Sequence, residues 1–341
     1  MITGLVDLFR AILLSSVLSV LLSPAMIWVA RRLDLIDRPG SAEHKRHHSA
    51  TPTAGGLVIL VAGGISVALL PIELTKQDLG ILSGTLLAAL FGMLDDRFDL
   101  APVYKLLGQF LAAAMIIFLG VQVHITQVAW VDLILSLLWL VGMTNAFNFV
   151  DSMDGLAVGL AGIASAFFML VSIDSFQPEL SLISASLLGL MIGCFLFTSP
   201  PAKMFLGDSG SQALGILLAA IGIAYTPGQA GLPQGVTWFI PILALGVPIF
   251  DMSLVIISRL RRGIPIYHAN TDHLYHRMTL LGLHPNRSVL IMQITAILLS
   301  LIAFLTLSAG VLLANVIFGI VLLLGLVALV YLELEYKKRV R

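Results

Sequence analysis

Charge is what this 341-residue sequence has least of: Lys, Arg, Asp and Glu together make 11% of it, against about 25% in soluble globular domains. With 58% hydrophobic residues and a mean hydropathy of +1.01, a soluble domain is excluded. Cysteine is almost missing too. The one thiol, Cys194, sits in an apolar run, so there is no disulfide framework and no thiolate set for zinc or iron–sulfur chemistry. The 19 cations and 19 acids cancel, so there is no overall basic excess of the kind that nucleic-acid binding uses, and the distribution of charge matters more than its sum. The phosphate-binding patterns GxxxxGK[ST] and GxGxxG are absent, which removes kinase-like and dinucleotide-binding readings. Repeats, low-complexity tracts and a separate soluble domain are also lacking, so residues 1–341 read as one membrane domain.

What fills the sequence is apolar segments. A membrane-spanning helix takes roughly 20 residues. Eleven candidates run over 5–30, 55–71, 79–94, 103–121, 131–147, 155–173, 180–198, 211–226, 236–257, 288–307 and 310–331, the third and eighth being short. The first is too long for a cleaved leader and is expected to be retained. Pro71, Pro102, Pro178, Pro227 and Pro285 fall between spans, whereas Pro241 and Pro248 lie inside the ninth and predict a kink. The fold class is therefore all-α and polytopic.

Lys and Arg concentrate near cytoplasmic span ends. With eleven spans, every cation except Arg10 and Lys76, 17 of 19, falls on one side, which predicts an outside N-terminus and a cytoplasmic C-terminus. Seven of eight histidines and twelve of nineteen acids share that side. On the other, Asp7, Glu73, Asp78, Asp132, Asp174 and Glu179 stand singly and read as solvated helix caps.

Four constellations lie on the cation-rich side. Asp95-Asp96-Arg97-Phe98-Asp99 puts three carboxylates within five residues, either for a divalent cation or general base or as an interfacial turn with Arg97 as counter-ion. Asn145, Asn148, Asp151 and Asp154 recur every third residue; such positions fan across half a helix, so the segment is expected to unwind near Gly155, with Asp154 capping the next span. Amides and acids at this depth need partners or water, which favours function over simple interhelical bonding. Phe205-Leu-Gly207-Asp208-Ser209-Gly-Ser211 sets an acid among small residues at a helix start, either a phosphate and Mg²⁺ site or an ordinary cap. The last runs from Arg259, Arg261 and Arg262, read mainly as positive-inside anchoring, to His268, Asp272, His273, Tyr275, His276 and Arg277, suited to phosphate contact or proton transfer. Lys45, Arg46, His47 and His48 make a further basic loop. Asp251, inside the ninth span, is either an acid behind such a site or a hydrogen-bonded structural carboxyl. Gathered on one face, these groups suit a nucleoside diphosphate, a metal and a lipid head group. A secondary transporter, the alternative class, would expose polar groups to both faces and pair broken helices in its two halves; neither is seen.

These residues resemble the polyprenyl-phosphate N-acetylhexosamine-1-phosphate transferases. Asp95–Asp99 looks like that family's DDxxD, Asn145–Leu156 like NxxNxxDGxDGL, Phe205–Ser211 like FxGDxGS and Asp272–Arg277 like its histidine loop; Lys45, His47, Pro52 and Gly55-Gly56 resemble its loop after the first span. Ser152, Tyr275 and Thr53 stand where the patterns have Gly, His and Arg. Three adjacent histidines, expected of the muramoyl-pentapeptide branch, and the long insertion of eukaryotic relatives are absent. The resemblance therefore implies transfer of GlcNAc-1-phosphate, or a close epimer, from a UDP-N-acetylhexosamine to undecaprenyl phosphate, releasing UMP and starting a lipid-linked envelope glycan. The UDP-MurNAc-pentapeptide phosphotransferase is the alternative. It also implies Mg²⁺, with Mn²⁺ as substitute, on Asp208, Asp96 and Asp151; catalysis by Asp95, Asp96, His273 and His276; and substrate contacts from Lys45, His47, Asn145, Asn148, Asp151, Asp154, Gly207, Ser209 and Arg277. Asp95 would deprotonate or orient the lipid phosphate for direct attack, the rival being a phosphorylated aspartate. The implied setting is the cytoplasmic face of the plasma membrane, with a homodimer compatible.

Overall fold

Each apolar segment expected from the sequence forms a helix or a broken pair in the computed structural model, which describes residues 4–38, 50–126, 128–225, 238–267 and 271–339. In chain order these are α1 (Leu5–Arg32), the two-residue antiparallel strands β1 (Ile36–Asp37) and β2 (Thr51–Pro52), α2 (Gly55–Ala68), α3 (Lys76–Phe98), α4 (Pro102–Phe118), α5 (Ala129–Val150), α6 (Leu156–Asp174), α7 (Pro178–Thr198), α8 (Gly207–Ala224), α9 (Ile240–Ala244), α10 (Gly246–Arg262), α11 (Leu274–Leu280), α12 (Pro285–Leu307) and α13 (Val311–Arg339). Eight are long and apolar enough to cross a membrane; α2 and α4 are apolar but shorter. The chain is thus an all-α, multi-pass membrane protein. Contacts divide it into two compact units, residues 1–230 and 231–341.

Helix ends follow local chemistry. Thr75 and Asp78 form a reciprocal capping box at the start of α3. That helix is not short, as its apolar run suggested: it carries on through Asp95-Asp96-Arg97 and closes at Asp99, whose φ is +49°, with the Asp95 carboxylate accepting the Leu100 N–H at 2.8 Å. Asp78 and Asp132 are buried and not the solvated caps expected of them, because each accepts loop donors: Thr75 N–H at 2.8 Å for Asp78, and Thr126 N–H at 2.9 Å for Asp132. The ninth segment does break, at Leu245. Pro248 falls in the first turn of α10, where a missing N–H costs nothing, and Pro241 stands at the start of α9.

In the first unit, α8 is the axis: every residue from Ser209 to Gly222 is buried, with α2, α3, α5 and α6 packed around it. The α1–α7 pair meets through small residues, Ser15 and Ser19 against Gly189 and Gly193, and Ser19 donates to the Leu190 carbonyl at 3.2 Å. In the second unit, Phe239, the N-cap residue of α9, stacks on Phe318 of α13 at 4.7 Å. Of the rest of α13, only Ala314, Leu329, Glu333 and Tyr336 are buried, leaving an apolar surface suited to acyl chains.

Candidate active site

The end of α3 meets the start of α8 in a cluster of carboxylates. The four leading N–H groups of a helix have no partner within it. Those of α8 are served from another helix: Asp96 Oδ1 accepts the Asp208 N–H at 2.8 Å, and Oδ2 accepts the Ser209 N–H at 3.1 Å and the Ser209 hydroxyl at 2.7 Å. A carboxylate there is also favoured by the helix dipole. The approach depends on glycine twice. A Cβ on Gly92 would stand 2.5 Å from the Asp208 carbonyl oxygen, and Gly207, at φ +74°, has both Asp96 oxygens within 2.9 Å of where its Cβ would be. The segment before α2 joins the same junction through backbone bonds, Phe205 N–H to the Pro52 carbonyl at 2.9 Å and Gly55 N–H to the Phe205 carbonyl at 3.0 Å.

Beside this cap, Lys105 of α4 places its ammonium between two acids, 2.5 Å from Asp95 Oδ2 and 3.0 Å from Asp208 Oδ1. Sequence reasoning missed Lys105 as a site residue and counted it only for topology; the available signal was a lysine one turn into an otherwise apolar helix after Pro102. Asn148 also donates to Asp208 Oδ1, at 2.5 Å, and to the Ser211 hydroxyl at 3.0 Å. Asn145 is placed differently: it exchanges hydrogen bonds with Gln109 of α4, donating at 2.7 Å and accepting at 3.3 Å, an interhelical amide pair.

The helix unwinds after Val150 as the spacing predicts, and residues 151–155 form turns. The expected cap is wrong in detail: Gly155, at φ +72°, and not Asp154, occupies the N-cap of α6, a left-handed position that glycine takes without strain. Burial, and then the charges of Asp208, Asp96 and Asp154, push the Asp151 carboxyl well above the usual carboxylate range. Five carboxylates, Asp95, Asp96, Asp151, Asp154 and Asp208, therefore interact at this junction. Lys105 is the cation paired with them among the described residues. The donor set is all oxygen, which fits a hard divalent cation, and Lys105 marks where positive charge is accepted. No three His, Cys, Asp or Glu side chains among the described residues form a ready-made cage; Mg²⁺ commonly takes one or two carboxylates and completes its shell with water and substrate phosphate.

The second unit holds the histidine segment and its basic neighbours. Arg259 is 2% exposed and grips Asp272 with two bonds, Nε to Oδ2 at 3.2 Å and Nη2 to Oδ1 at 2.9 Å, and Arg262 adds a third to the same carboxylate. The anchoring role expected of this cluster is corrected for Arg259, which is buried as an internal partner of Asp272; Arg262, which also bonds Asp272, stays partly exposed. Burial alone would raise the Asp272 carboxyl, but the guanidinium bonds of Arg259 and the neighbouring positive charges bring it below the ordinary value. Arg277, expected to grip substrate, is 2% exposed and bonds the Asp272 carbonyl at 3.0 Å and Glu333 at 2.5 Å, with Arg261 on the other Glu333 oxygen at 2.6 Å. Tyr275 keeps a hydrogen-bonding group beside His276, 2.6 Å from hydroxyl to Nε2. His273 faces Asp251, Nδ1 to Oδ2, at 3.0 Å. Lys45 and His47, like Arg46, His48 and His268, lie outside the described residues.

The family match falls on the first of these regions, and the relatives align beyond it. Residues 79–226, which run from α3 through α8 and so include all five interacting acids, match the family described as glycosyl transferase family 4. A probable undecaprenyl-phosphate N-acetylglucosaminyl 1-phosphate transferase of Bacillus subtilis is 29% identical over 331 residues, 93% of this chain and 90% of its own. The phospho-N-acetylmuramoyl-pentapeptide-transferase of Halalkalibacterium halodurans is 34% identical over 243 residues, 63% of this chain and 74% of its own, and that of Shouchella clausii is 30% identical over 287 residues, 76% and 88%. With a family match centred on the acid junction and relatives aligned over most of their length, the chain belongs to glycosyl transferase family 4 as a membrane-embedded phosphosugar transferase.

Proposed function

We propose that this protein transfers GlcNAc-1-phosphate from UDP-GlcNAc to undecaprenyl phosphate on the cytoplasmic face of the plasma membrane, releasing UMP and starting a lipid-linked envelope glycan. The observation that carries the reading is the acid junction, where five carboxylates interact at the start of a buried helix and Lys105 pairs with two of them, Asp95 and Asp208. A set of oxygen donors beside small-residue backbone suits a pyrophosphate delivered with a cation. The relative aligned along 93% of the chain, and the absence of three adjacent histidines, favour GlcNAc over the muramoyl-pentapeptide donor.

Asp208 and Asp151 are the residues that would hold Mg²⁺. When bound, the ion would draw negative charge from the phosphoryl oxygens of the donor. Asp96 fixes Asp208 and Ser209 by capping α8, so its part is to hold the site in shape, while Asn148 holds the Asp208 carboxylate through its Oδ1. Asp95 is poised by Lys105 and the Leu100 N–H to orient the acceptor phosphate, and the ammonium lies where phosphate oxygens need a donor. Orientation and charge neutralisation are most of what phosphoryl transfer asks of a protein. The test is purified protein with Mg²⁺, undecaprenyl phosphate and, in parallel, UDP-GlcNAc, UDP-GalNAc and UDP-MurNAc-pentapeptide. Lipid-dependent UMP release, fastest with UDP-GlcNAc, is expected; release with the pentapeptide donor alone would move the protein to the other branch, and release that ignores lipid would make it a hydrolase.

A further inference from the structure

Asp251 sits in α10, in the second turn beyond the break at Leu245, and is 1% exposed. Both its oxygens are used within the second unit. Oδ1 accepts the Leu274 N–H, the first residue of α11, at 2.5 Å, and Oδ2 meets His273 Nδ1 at 3.0 Å. The guanidiniums of the neighbouring segment are directed elsewhere, Arg259 and Arg262 to Asp272, and Arg261 and Arg277 to Glu333. A carboxylate offers only lone pairs, so the bond to His273 is made when Nδ1 carries the proton. A buried acid in an apolar helix is expensive. Capping Leu274 alone needs no charge, since the uncharged side-chain oxygens of Asn, Ser or Thr are among the usual N-cap acceptors.

We propose that Asp251 is the positioning residue of His273: it holds the neutral imidazole as the Nδ1–H tautomer and, being itself fixed by the Leu274 N–H, sets the ring's orientation. The lone pair is then on Nε2, where it accepts a proton, and the imidazolium formed there is stabilised by the acid behind it. The kinetic consequence rests on the transferase reading above, whereas the tautomer does not.

Two measurements on the full-length protein in detergent decide it. In ¹H–¹⁵N spectra of protein labelled with [¹⁵N]histidine, the His273 signals are those that His273→Gln removes. They are expected to report the Nδ1–H tautomer in the wild type and to shift to Nε2–H in Asp251→Asn, because the Leu274 N–H keeps the amide oxygen and turns the NH₂ to the ring. An Nε2–H ring in the wild type overturns the proposal without any Asp251 variant having to fold, and so does a ring unchanged by Asp251→Asn. In the UMP-release assay, Asp251→Asn is expected to lower kcat roughly 100-fold. KM for UDP-GlcNAc and the melting temperature should hardly move. In a His273→Gln background the same change should cost less than about twofold, the non-additivity of two residues acting through one ring. Additive losses, or a loss in kcat matched by a fall in melting temperature, overturn the proposal. Wild-type protein that releases no UMP with any UDP-N-acetylhexosamine sinks the transferase reading, and the tautomer still decides the role of Asp251.

Discussion

The acid junction of α3 and α8 and the guanidinium network around Asp272 each gather six charged groups, and they resolve them in opposite ways. At the junction five carboxylates interact, and among the described residues Lys105 pairs with two of them, Asp95 and Asp208. In the network, Arg259 and Arg262 close on Asp272 while Arg261 and Arg277 close on Glu333, with Tyr336 beneath the Arg277 guanidinium at 4.4 Å. The junction gathers more anions than cations, whereas in the network each of the four guanidiniums closes on a carboxylate of the protein itself. Both are polar, buried and rich in residues a motif search would mark. What separates the two is the sign of the surplus: like-charged carboxylates crowd together at the junction, while each arginine of the network has an acid of its own chain to close on.

That contrast can be broken from either end. Replacing Asp208 with Asn should cost about a thousandfold in UMP release with little change in melting temperature, since it removes a charge the junction has in excess. A protein that keeps its activity would move the site elsewhere. Asp272→Asn should do the reverse, destabilising the fold by ~3–5 kcal/mol because it leaves the buried Arg259 guanidinium without its anion and takes the same partner from the partly exposed Arg262, and thermal unfolding in detergent reads it directly. The sign with pH follows from the depressed Asp272 carboxyl: its contribution is complete above the ordinary carboxylate value of 3.8 and is lost as pH falls through the lower folded value, so wild-type melting temperature should drop there and that of Asp272→Asn should drop less. If Asp272→Asn instead melts normally and loses catalysis, the network is a second site. A smaller effect is expected for Lys105→Gln, roughly a tenfold loss in kcat, with the Mg²⁺ concentration for half-maximal rate falling because a tethered competitor for the same carboxylates has gone. Gly207→Ala forces a left-handed backbone on an L-residue, ~1–2 kcal/mol, and sets a Cβ within 2.9 Å of both Asp96 oxygens, so a lowered melting temperature should come with slower UMP release as the cap on α8 shifts.

Much of this was legible in the residues. The apolar runs located the helices, Pro241 and Pro248 foretold the break in the ninth, and the triplet spacing from Asn145 foretold the unwinding after Val150. Charge gave the wrong scale at two places. Arg259 and Arg262 look like any positive-inside cluster until Asp272, thirteen and ten residues on, is seen to hold them both, the first fully buried. Glu333 reads as one acid on a terminal helix until Arg261 and Arg277 arrive from sequence positions 72 and 56 residues away. Pattern also failed where the partner is backbone, as between the Pro52–Gly56 segment and Phe205–Leu206, since a main-chain bond leaves no residue-type signature. The glycines at 55 and 207 were noticed for their motif, and only the closeness of the chains says why they are there.

The cap that Asp96 places on α8 has a consequence for how such a protein is made. The leading N–H groups of α8 are answered by a residue synthesised 112 positions earlier, on a different span. Insertion of α8 into the bilayer therefore delivers an unfinished end, with polar backbone exposed at the membrane boundary until α3 docks. The polar end of α8 is completed by lateral assembly of spans already in place, and biogenesis factors that hold spans together before release would guard this junction first.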